Sequence, residues 1–135
     1  MSEPRFEMER ANHSLQCVLK HTKLMKTKQN NYASYTEKFA LEILMNGLGQ
    51  ALARIVSSSK NKDAEVYKYL YEDIEDWLTG DRPTAPYRGA NDLLMALTEG
   101  TREQYRLATA EALAWLAWHK QLTSTYLKER EEDRG

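Results

Sequence analysis

Apolar side chains recur at intervals of three and four residues along almost the whole chain and nowhere alternate, which restricts the fold to packed amphipathic helices. Six helices follow from that spacing. The first runs from about Pro4, a residue favoured in a first turn, to about Thr22, with Met8, Ala11, Leu15, Val18 and Leu19 on one stripe. The second begins near Asn31, carries Tyr32, Tyr35, Phe39, Ala40, Ile43 and Leu44, and ends at Asn46-Gly47, a pair suited to a helix C-cap. A short third helix holds Leu48, Ala51, Leu52, Ile55 and Val56, and the run from Ser57 to Lys62 has the composition of a loop.

The fourth helix has one broad apolar face made by Val66, Tyr67, Leu70, Tyr71, Ile74, Trp77 and Leu78, closed by Gly80, with an acidic opposite face. The stretch GDRPTAPYRG, from Gly80 to Gly89, holds two of the three prolines and reads as a mobile connection. A short helix over about Asn91 to Leu97 follows. The last helix opens at Thr101, where Thr101 and Gln104 fit a capping box, and reaches about Lys128, a length of roughly 40 Å. Its centre, Ala112 to Trp118, is apolar on every side and so is expected to have neighbours all round. The expected fold is therefore all-α: a compact bundle of about six helices around a long C-terminal helix. Its 135 residues suit a single domain spanning 1–135, with 128–135 a frayed tail.

Several classes of chemistry are excluded by spacing. His13, Cys17 and His21 fall four apart on one helix face, but the outer two are roughly 12 Å apart along the axis while a zinc ligand sits about 2 Å from its ion. They read as polar residues flanking the apolar stripe, and His119 as a packed or boundary residue. No serine sits in a strand-to-helix elbow, and Gly47-Leu48-Gly49 lacks the lysine and strand of a phosphate loop. Those glycines are assigned to packing, Gly47 to the turn and Gly49 to a close helix approach. Small helical ribonucleases that cut with an arginine followed by four to six residues and a histidine are excluded, because no histidine here has an arginine at that distance. Glu72, Asp73, Glu75 and Asp76 are expected on a solvated acidic face, and Trp77, Trp115, Tyr71 and Tyr105 in the core. The expectation is a protein that is not an enzyme, with no catalytic residue, metal or cofactor.

Charge carries the remaining signal. The net charge is -1, from 19 basic and 20 acidic side chains, so any anion binding must be local. From Arg10 to Thr36 there is no acid, whereas Arg10, Lys20, Lys23, Lys26 and Lys28 are all basic; from Asp63 to Asp81 seven acids face only Lys68. Lysines clustered on a loop beside Gln29, Asn30 and Asn31 suit phosphate contacts that ask for charge and little geometric accuracy. The expected RNA contacts are Lys20, Lys23, Lys26 and Lys28, joined by Arg54 and Lys60. The acidic helix offers a complementary surface for a protein partner, including another copy. Charged residues occupy the N-terminus where a secretory signal would be apolar, and no apolar run is long enough to span a membrane, so a cytoplasmic location is expected.

Asn46-Gly47-Leu48-Gly49-Gln50-Ala51-Leu52-Ala53, then Leu70-Tyr71-Glu72-Asp73-Ile74-Glu75-Asp76-Trp77-Leu78, then Asp92-Leu93-Leu94, and Tyr105 through Leu116 resemble, in order and spacing, the small helical subunit of the type III-B CRISPR effector, the Cmr complex. The resemblance runs from about Tyr32 to Leu122. It implies a non-catalytic subunit, present in several copies stacked along a ribonucleoprotein filament, that helps hold target RNA against guide RNA in antiviral defence. The partners it implies are the backbone and other Cmr subunits, further copies of the chain, guide RNA and target RNA. The alternative reading is a pure protein-protein scaffold without direct RNA contact.

Overall fold

The computed structural model describes residues 4–60 and 63–128 of the chain. It contains six α-helices and, among the described residues, no strand: α1 (Pro4–Lys20), α2 (Lys26–Asn46), α3 (Leu48–Ser58), α4 (Ala64–Thr79), α5 (Leu93–Glu99) and α6 (Arg102–Tyr126), with a 3-10 turn over His21–Lys23. Of the tail expected over 128–135, residues 129–135 lie outside the described residues; Lys128 is exposed and pairs with Glu37, and Leu127 is buried with its N–H on the Thr123 carbonyl.

Local chemistry sets most helix ends. The Thr101 hydroxyl accepts from the Gln104 N–H at 3.1 Å while the Gln104 side chain accepts the Thr101 N–H at 2.9 Å, the reciprocal box expected for α6. Asp92 caps α5 by accepting from the Met95 N–H. Asp63 stands at the capping position of α4 without capping it, because its carboxylate accepts instead from Asn31 and the Tyr35 hydroxyl at 2.6 and 2.7 Å. At the far end of α4 the Arg82 guanidinium donates to the Asp76 and Trp77 carbonyls, satisfying the last turn. Gly80 is consequently extended, with no left-handed turn.

Gly47, at φ +91°, turns α2 into α3. A Cβ there would lie 3.2 Å from the Tyr105 hydroxyl, and that hydroxyl accepts the Gly49 N–H at 3.0 Å. The tight helix approach therefore belongs to Gly47; a Cβ at Gly49 would meet only ordinary contact distances.

Four further expectations need correction. First, α2 begins at Lys26, because the buried Gln29 amide donates to the Thr22 and Leu24 carbonyls and ties the turn to the helix start. Second, 80–89 is packed back on α4: Ala85 and Tyr87 are buried, and the N–H groups of Tyr87 and Gly89 bond to the Leu78 and Thr79 carbonyls. Third, α6 contacts α1, α2, α3 and α4 but is not enveloped; Ala108, Ala112, Trp115, Leu116, His119 and Thr123 form its buried stripe, while Ala117 is exposed. Fourth, α1 buries only part of its expected apolar stripe: Val18 is buried and Met8 and Leu19 are exposed, and the buried face, continuing into the 3-10 turn, is Arg10, Ser14, Cys17, Val18 and His21. These recur at four and three residues, the spacing of a core face, so α1 docks mainly through polar groups.

Candidate nucleic-acid interface

The polar face of α1 is satisfied by acids and rings from α2, α4 and α6. Arg10 makes a two-pronged pair with Glu111, at 2.5 and 3.0 Å, and Trp77 donates its indole N–H to the same carboxylate at 3.1 Å. His13 takes the Trp115 indole N–H on Nδ1 at 2.9 Å and bonds through Nε2 to Asp76 at 2.8 Å. Burial lowers the His13 pKa, opposed by the Asp76 bond.

Asp73 is 2% exposed, in the core, although expected on the solvated face. Its position in α4, three residues after Leu70 and four before Trp77, lies on the apolar stripe. The carboxylate accepts from His21 Nε2 at 2.7 Å, the Tyr32 hydroxyl at 2.6 Å and Lys20 Nζ at 3.0 Å. Burial alone would raise its pKa; the His21 bond and charge, then the Tyr32 hydroxyl and Lys20, hold it at about 2. Because the Tyr32 proton goes to Asp73, the Tyr32 oxygen accepts from His119 Nε2 at 2.7 Å, and His119 Nδ1 accepts from the Ser14 hydroxyl at 2.7 Å. The imidazole is therefore neutral, and burial lowers its pKa to about 3. Ser14 and His119 have no exposed surface, and burial raises the Cys17 pKa, so these nucleophile types are sealed in the core.

The same arrangement sorts the six expected RNA contacts. Lys23 and Lys26, flanking the turn into α2, are exposed and among the described residues form no ion pair. Lys20 is anchored on Asp73, and Lys28 pairs with Glu65 at the surface. Lys60 is exposed, two residues beyond the end of α3. Lys20, Lys23, Lys26 and Lys28 thus gather toward one end of the bundle. Arg54 does not join them: it pairs with Glu42, sixteen residues beyond Lys26 and so about 24 Å along α2.

An apolar surface at the other end of α2 was not legible as such. Leu41, Leu44 and Met45, at helical spacing, are 56, 70 and 70% exposed, although Leu44 reads as a core position. The acidic expectation shrinks in turn: Asp76 is taken by His13 and Arg82, Glu75 accepts the Leu93 N–H, and Asp81 pairs with Arg88. Among the described residues no helix is long and apolar enough to cross a membrane.

A family model described as CRISPR-associated protein (Cas_Cmr5) matches residues 6–126.

Proposed function

The chain belongs to the Cas_Cmr5 family, the small subunit of the type III-B Cmr complex in CRISPR defence, and on that basis we propose that it is a non-catalytic subunit that stacks in several copies along the guide-target RNA duplex and helps hold target RNA in antiviral defence. The observation that carries RNA contact is the pair of exposed lysines Lys23 and Lys26, free of ion pairs among the described residues, at one end of a molecule whose net charge is near zero. Lys60, exposed after α3, is a further candidate contact. Lys28 adds to that cationic end when phosphate displaces Glu65, since an exposed ion pair contributes little. Lys20 keeps its ammonium on Asp73 and serves the fold first. Contacts of this kind carry no sequence preference, as a system that reads sequence by base pairing requires.

Absence of catalysis is supported by the sealing of Ser14, Cys17 and His119 in the core, where no substrate reaches them. Incubation of the purified chain with labelled RNA and divalent metal is expected to give no products. For the RNA contact, the test is the salt dependence of target binding by the assembled complex. Replacing Lys23 and Lys26 with glutamine should weaken binding at low salt and reduce the slope of log affinity against log salt by roughly 0.7–0.9 for each phosphate that is no longer neutralised. An unchanged slope would remove the assignment.

The scaffold reading has its own support in Leu41, Leu44 and Met45, an apolar face suited to a neighbouring protein subunit. If this protein only joins neighbours, the lysine variants leave RNA affinity intact once the complex is assembled, while changes at Leu44 impair assembly.

A further inference from the structure

The start of α2 departs from ordinary capping chemistry: the Gln29 amide holds the turn through the Thr22 and Leu24 carbonyls, and no side chain caps the helix. Asp92 and Thr101 cap α5 and α6 with side-chain hydrogen bonds, Asp63 at the start of α4 is diverted to Asn31 and Tyr35, and Gly47 before α3 makes the turn. The capping position of α2 is Met25, which makes no such bond. The first turn that follows carries Lys26 and Lys28 and no acid, the charge that a helix dipole disfavours there. Met25 itself does not pack: it is 68% exposed, between exposed Lys23 and Lys26. A serine or aspartate at this position would supply the missing cap, so methionine is not the residue that capping favours here. Local choices that oppose stability mark positions serving an external contact.

Resting on the proposed RNA contact, we propose that Met25 is an apolar, sequence-independent contact to the guide-target duplex, seated on its ribose and base-edge surface while Lys23 and Lys26 meet phosphates on either side. Charge selects the partner: the tip lies in a stretch, Arg10 to Thr36, without one acid. Paired RNA presents a wide, shallow minor groove lined by sugars and base edges, a surface that an exposed side chain at a turn can reach. Methionine suits it, being unbranched, polarisable and able to fit an irregular surface without a fixed shape. The lysines supply the salt-dependent part of binding, and Met25 supplies a part that salt does not screen.

The chain carries its own controls, since Met8, Met45 and Met95 are also more than half exposed. The experiment is limited hydrogen peroxide oxidation of the reconstituted Cmr complex containing this chain and guide RNA, with and without target RNA, read as sulfoxide at each methionine by mass spectrometry. Oxidation of Met25 should slow severalfold on adding target, while the other three stay unchanged by it. Protection of Met25 before target is added, which would indicate a protein or guide contact, overturns the proposal, as does no protection at all. In parallel, Met25→Ser should raise the melting temperature of the free chain and weaken target binding about fivefold at every salt concentration with the slope unchanged. Unchanged affinity in that variant also overturns it. If the Lys23→Gln/Lys26→Gln variant flattens the salt dependence while Met25 stays unprotected, the RNA-contact reading stands and this inference falls. If neither effect is seen, both fall.

Discussion

Lowering the pH from 7 to 5 should cost the fold about 2 kcal/mol through His119 alone. In the folded chain the imidazole is neutral, with Nε2–H given to the Tyr32 oxygen and Nδ1 taking the Ser14 proton, and its pKa is lowered from 6.5 to about 3. A second proton would have to sit on Nδ1, turn the Ser14 hydroxyl from donor to acceptor and leave a positive charge in a site with no exposed surface. The unfolded chain binds that proton readily below pH 6.5 and the folded chain does not until about pH 3, so the unfolded state gains about 1.4 kcal/mol for each pH unit within that window. The contribution is fully present above pH 6.5 and is lost as pH falls. His13, also lowered by burial, acts in the same direction. The measurement is urea denaturation, followed by helical circular dichroism, of the free chain and of His119→Gln at pH 7, 6 and 5. All other titratable groups are common to both proteins, so the variant should lose about 2 kcal/mol less than the parent between pH 7 and 5. Equal losses in the two proteins would refute the buried, neutral assignment of His119.

The Asp73 hub predicts that Asp73→Asn destabilises the free chain by about 3 kcal/mol, whereas Tyr32→Phe, which removes one hydroxyl from the same chain of bonds, costs about 1–2 kcal/mol; both are read by urea denaturation at pH 7. Asp73 also has a folded pKa of about 2 against 3.8, so its stabilisation is present above pH 4 and disappears as pH falls through 2. Gly47→Ala should lower stability by about 1–2 kcal/mol, from its positive φ and the nearby Tyr105 hydroxyl, while Gly49→Ala should be close to neutral; thermal melts of the two separate them. Leu44→Glu should leave the melting temperature of the free chain within the scatter of surface changes, about 0.5 kcal/mol, yet reduce its recovery with tagged Cmr subunits.

Helix identity was legible in residue spacing because hydrogen bonding within a helix is local, and both the Thr101-Gln104 box and the Asn46-Gly47 break lie within a few residues of the ends they set. The assignment of faces was less secure wherever polar groups are buried. Position 73 lies on the same stripe as Leu70 and Trp77, and His119 continues the stripe of Ala108, Ala112 and Trp115, so periodicity alone marked both as interior. Residue type argued the other way, because an isolated buried carboxylate or imidazole is costly. Only partners 41 to 105 residues distant, Tyr32 and His21 for Asp73, Ser14 and Tyr32 for His119, make those positions tolerable.

The candidate interface divides in the same way. Residue order alone settled that the chain is helical and that the stretch from Arg10 to Thr36 is basic and free of acids, since both are properties of neighbours along the chain. Which lysines are free for phosphate was settled by packing: Asp73 and Glu65 lie far from Lys20 and Lys28 in the sequence and reach them only when α4 packs beside the start of the bundle, leaving Lys23 and Lys26 without an ion pair among the described residues. Ion pairing acts over a few ångströms of space, and the order of residues fixes such distances only after the helices have docked.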